Sequence, residues 1–196
     1  MRNRPEKSEK LPALHTLIIG DIRAAWSKMY WDVDAFGDVQ RSFPEEHEPL
    51  AYLALNACIS ASSLENWART RWMQQERKKK FRVKEQDFTD LVDAKIPHQG
   101  LCVDVANTTK HGKHKERRWK NGELNFRYDA ASEHDPPGFV ILKLHESKTS
   151  ILYNDLHDLP NLWWEFLKEV DLVSGEKPTL EWWQRKISRM FPMILR

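Results

Sequence analysis

Within the stretch "LCVDVANTTKHGKHKERRWK" (101–120), three side chains stand at spacings that chemistry can use. Asp104, Asn107 and His111 are three and four residues apart, so a helix carries them as one polar stripe with Thr108 beside it. The imidazole is a proton donor or acceptor near neutral pH. A carboxylate and a carboxamide on the same face can orient that ring or hold a ribose or a phosphate. Val103 and Val105 flank the stripe, with Leu101 and Ala106 nearby, which puts it where its helix can meet another. A structural reading stands beside the chemical one. Asp104 and Asn107 can tie the helix to its neighbours while His111 caps carbonyls at its end.

The chain turns basic directly after His111. Lys110, Lys113, Lys115, Arg117, Arg118 and Lys120 are suited to phosphates, and His114 or Trp119 to stacking on a base. A second basic run, "RKKKFRVK" (77–84), forms another wall if the end of its helix comes close. Local patches of this kind matter more for binding than the formal net charge of +2.

The elements that must position these residues are mostly helical. Leu14, Leu17, Ile18, Ile22, Ala25 and Met29 follow three-and-four spacing, which predicts a first helix over about 11–36. "FGDVQRSFPEEHEP" reads as a connection. A second helix runs from about Pro49 to beyond Met73, and its small residues, "LALNACISASS", let another backbone approach closely. A third begins near Glu85, breaks at Pro97 and resumes through the stripe to end near Gly112. "ELNFRY", "GFVILKL" and "SILYN" read as strands, the last two as a hairpin across "HESKT". "LPNLWWEFLKEVDLV" returns to helix. A last helix covers "KPTLEWWQRKISRMF", with Thr179 as cap and Glu181 in its first turn. The expected fold is mainly α: a bundle of long helices with a small β insertion at about 121–155, in one domain over 11–196 behind a loose 1–10.

At 196 residues the chain can bury a sizeable core without staples. Cys58 and Cys102 fall inside apolar helical segments and read as reduced packing thiols. No apolar run reaches the ~18 residues of a membrane span, so the expected location is the cytoplasm of a bacterium or similar cell. No Walker A or dinucleotide loop and no G-x-S-x-G elbow is present, which argues against a nucleotide motor, a dehydrogenase or a serine hydrolase. His98 with Cys102, and His111 with His114, make only a weak zinc pattern without paired CxxC, so no metal or cofactor is expected.

"DVANTTKH" late in a series of long helices resembles the HEPN superfamily of helical domains. Many members of that superfamily are metal-independent RNases of toxin–antitoxin, abortive-infection and defence systems, and they often dimerise. The resemblance covers about residues 11–112. It implies His111 as the motif histidine and Asn107 as the polar residue before it. Ala106 stands where the family carries arginine. The cations able to substitute are Arg69, Arg71 and Lys110. Two expectations follow. The first is a metal-independent endoribonuclease or toxin-type effector, in which His111, supported by Asn107 and Asp104, moves a proton for attack of a 2′-hydroxyl on phosphorus. Such a step is worth ~10²–10⁴-fold and is restricted to RNA. The second is a non-catalytic module that binds nucleic acid or a partner protein. The expected partners are RNA, a second copy of the chain, or a protein of a defence complex, with no membrane.

Overall fold

A computed structural model describes residues 19–42, 45–112, 118–133, 137–181 and 184–185. It is mainly helical, with a small antiparallel sheet ahead of the C-terminal helices. Helix α1 (Ile22–Ser42) buries Ile22, Ala25, Trp26, Met29, Val33 and Phe36, the three-and-four stripe of an amphipathic helix. It runs on through Gly37 to Ser42, where the sequence suggested a connection. The reason is packing: a Cβ at Gly37 would collide with the Tyr153 ring, whose hydroxyl lies 2.6 Å from that point. The glycine therefore marks a close approach, not a break. The predicted N-terminal part of this helix, 11–18, lies outside the described residues.

Helix α2 (His47–Lys78) is the central element, packed on both α1 and the helix of the polar stripe. Pro49 sits in its first turn, where the missing N–H costs nothing. Ala54, Ala57, Cys58 and Ala61 are essentially inaccessible and allow the close approach that the small-residue run suggested. Helix α3 (Glu85–Lys95) and helix α4 (Gln99–His111) are separated at Pro97. Gly112 closes α4 in the left-handed region at φ 62°, donating its N–H to Thr108 O at 3.0 Å.

The sheet has the order β1 (Glu123–Asp129), β2 (Gly138–His145), β3 (Lys148–Ile151). Both pairings are antiparallel, with Phe126 opposite Ile141 and Leu142 opposite Ile151. The β2–β3 hairpin is as expected, but "SILYN" is a strand only as far as Ile151. Leu152 begins the short helix α5 (Leu152–His157), whose Leu152 and Leu156 are both fully buried. Helix α6 (Leu159–Glu169) follows and buries Trp163, Trp164, Phe166 and Leu167. Most of the predicted last helix lies outside the described residues.

The core is aromatic, and two of its indoles are anchored. Trp26 donates to Pro160 O at 2.8 Å, and Trp163 donates to Gln99 Oε1 at 3.0 Å. Gln99, itself fully buried, donates onward to Ala61 O at 3.1 Å. One carboxamide thus ties α2, α4 and α6 together with its polar atoms satisfied. No helix among the described residues is long and apolar enough to cross a membrane.

Candidate functional site

The stripe exists as a helical face, but its members have different tasks. Asp104 is buried at 4% exposure. Its Oδ2 accepts the backbone N–H of Arg118 at 2.9 Å and that of Trp119 at 2.8 Å. The carboxylate therefore fastens the returning chain onto α4. Gly100 makes room for that chain, since a Cβ there would stand 3.1 Å from the Arg118 Cβ and 3.2 Å from its carbonyl.

Arg118 reaches back across α4 into a cleft between α2, α3 and α4. Its Nη1 donates to both oxygens of Glu65, at 2.7 and 2.8 Å. Its Nε and Nη2 are engaged by Asp93. Burial works against the guanidinium charge, but Asp93 and Glu65 outweigh it and hold the group above its ordinary pKa. Arg118 is thus a clamp between α2 and α3, not the open phosphate contact that its basic setting suggested. Its two acceptors engage all three of its nitrogens.

The cleft has a volume of about 670 Å³ and includes Ser62, Asn66, Arg69, Val103 and Asn107 in its lining. Arg69 donates to Asn66 Oδ1 at 2.6 Å and lies 3.8 Å from the Glu85 carboxylate. Three of the predicted residues, Asn107, Arg69 and Arg118, therefore meet here. The lining carries three carboxylates (Glu65, Glu85 and Asp93) against two guanidinium groups (Arg69 and Arg118). That balance repels a phosphodiester instead of attracting one.

His111 does not line this cleft; it is the exposed last residue of α4, next to exposed Lys110. Asn107, which does line it, stands one helical turn earlier, so His111 lies ~6 Å further along α4. Arg71 is elsewhere again, in a smaller cleft at the start of α1. Lys113, His114, Lys115 and Arg117 lie outside the described residues. The hydrogen-bond neighbour Cys58, and then burial, push the Cys102 thiol well above its ordinary value, which keeps it a protonated packing group.

Two residues escaped notice in the sequence although a signal was present. Glu65 occupies the apolar spacing of α2 (Cys58, Ala61, Glu65, Ala68, Trp72), and a charge there demands a buried counter-charge. Phe81 stands 61% exposed in the middle of the "RKKKFRVK" run.

Fold and site together define a helical bundle with a strand meander, whose polar seam is a structural clamp. No family model, no curated protein and no solved structure matches the chain.

Proposed function

We propose that this protein is a non-catalytic helical module of HEPN-like type that binds single-stranded RNA at the turn joining α2 to α3. The observation that carries this reading is the turn itself. Residues 77–82 are all exposed and set Arg77, Lys78, Lys79, Lys80 and Arg82 around the exposed Phe81 ring. Lysines and arginines at a helix C-terminus also suit the helix dipole, but the dipole gives no reason for a solvent-facing phenyl ring among them. Cations that follow a backbone, with a ring on which a base can stack, are the recurrent device of sequence-tolerant single-strand binding. The absence of catalysis rests on the stripe: Asp104 and Arg118 are spent on the fold, and His111 is not among the residues lining the Arg69 cleft.

Fluorescence anisotropy with a labelled single-stranded RNA tests the reading. Stacking on one ring is worth ~1–3 kcal/mol per base, so Phe81→Ala weakens binding by roughly 5- to 150-fold. Each neutralised phosphate contact flattens the slope of log K against log salt by ~0.7 for a single strand. Lys80→Gln with Arg82→Gln therefore lowers the slope by about 1.4. The RNA stays intact with wild type. If wild type cuts the strand and His111→Ala does not, catalysis replaces binding as the function.

A further inference from the structure

A second cleft, of about 400 Å³, opens at the same end of the bundle, between the start of α1, the end of α2 and the turn after α6. Its cations come from two helices: Arg23 from α1, and Arg71 and Lys78 from α2. Gln74 and Gln75 add carboxamides, and Ile22, Leu172 and Val173 form an apolar wall. Its carboxylates are Asp21, whose Oδ1 accepts the Ala24 N–H at 2.8 Å, and Asp171. Arg23 is held in place by its bond to Ser174 O at 2.6 Å and by the Trp164 ring beneath it, 5.7 Å from centroid to guanidinium carbon. Asp171 is a non-glycine residue in the left-handed region, at φ 57°, so the turn that forms the third side is fixed in an uncommon conformation. The RNA-binding turn is continuous with this cleft, because Lys78 belongs to both.

From this arrangement we infer that the cleft receives the terminal phosphate monoester of the bound RNA. The inference rests on the RNA reading and adds to it. Diesters along the strand carry one charge each and are served by the open turn. A terminal monoester carries about −1.5 to −2 at neutral pH and three acceptor oxygens. It is the group that gains most from guanidinium and ammonium donors converging on one bounded space. The terminal ribose hydroxyls then have Asp171 and the Gln74 and Gln75 carboxamides as partners, with the apolar wall against the sugar or base. A 5′- or a 3′-phosphate presents the same chemistry.

The test uses one RNA sequence with a 5′-phosphate, a 3′-phosphate or hydroxyls at both ends, titrated against the full chain. One phosphorylated form is expected to bind about tenfold tighter than the hydroxyl form, the value of one added charge-assisted contact, and which one it is identifies the end that docks. Arg71→Gln, or Arg23→Gln at the exposed cation of the cleft should Arg71→Gln fold poorly, removes that preference and leaves binding of the hydroxyl form, which brings no monoester to the cleft, unchanged. Phe81→Ala weakens all three. Equal affinity for all three ends overturns this inference and leaves the RNA reading standing. No binding of any end removes both.

Discussion

Asp104→Ala separates a structural carboxylate from a catalytic one. The substitution strips two backbone N–H groups, those of Arg118 and Trp119, of their acceptor in a largely buried setting. Hydrogen bonds to a charged group contribute ~1.5–3 kcal/mol each, so complete loss of both lies between about 3 and 6 kcal/mol. Arg118 is only partly buried and water can recover some of its bond, which places the expected loss near 3 kcal/mol. For a chain of this length that lowers Tm by roughly 6–12 °C. Asp104→Asn keeps one oxygen able to accept but loses the charge, and should cost about 1 kcal/mol. Urea denaturation gives the free energies and a circular-dichroism melt gives Tm. A catalytic aspartate behaves in the opposite way: its asparagine variant abolishes turnover and leaves stability intact. Stability of Asp104→Ala within about 0.5 kcal/mol of wild type, the range of an ordinary surface change, would refute the anchoring role.

The remaining predictions concern the clamp and the sheet junction. Arg118→Met leaves the Glu65 carboxylate, 4% exposed, without its counter-charge and should destabilise by about 3 kcal/mol, at the lower end for a buried pair because Asp93 is 45% exposed. Adding Glu65→Leu should recover most of that loss in chemical denaturation, and a single variant as stable as wild type would return Arg118 to the pool of phosphate contacts. His98 faces Asp155, Lys143 and Asp158, and burial, aided by Lys143 and opposed by Asp155, lowers its pKa below the ordinary 6.5. The unfolded chain therefore binds more protons below pH 6.5, and stability falls as pH drops through that value towards the lowered folded one. His98→Gln should flatten this part of the stability–pH curve measured by urea midpoints, and an unchanged slope would remove His98 as its source.

The parts of this fold legible in the sequence are those written in periodicity. The apolar stripe of α1, the small-residue face of α2, the stop at Gly112 and the β2–β3 hairpin each follow from spacing within one segment. What escaped depends on a distant partner. Gly37 looks like a breaker until Tyr153, over a hundred residues later, is seen to need the space. "SILYN" has strand composition, but from Leu152 the chain turns into a helix that buries Leu152 and Leu156 one turn apart. Asp104 spends its charge on backbone N–H groups, which have no residue signature at all. The basic segment after His111 looked uniform, yet Arg118 is held in the fold because α2 and α3 offer it two acids.

The Arg118 clamp then decides how the basic residues act. It fills the seam between α2, α3 and α4 with carboxylates, so a polyanion is repelled there, while Arg77, Lys78, Lys79, Lys80 and Arg82 stand exposed at the turn, next to the cleft of Arg23 and Arg71. Moving charge tests that picture directly. Asp93→Asn removes negative charge from the seam at the end of α3 away from the turn. If binding were seated in the seam, this variant would strengthen it steeply. Seated at the turn, binding should change by less than about threefold, as expected for screened charges.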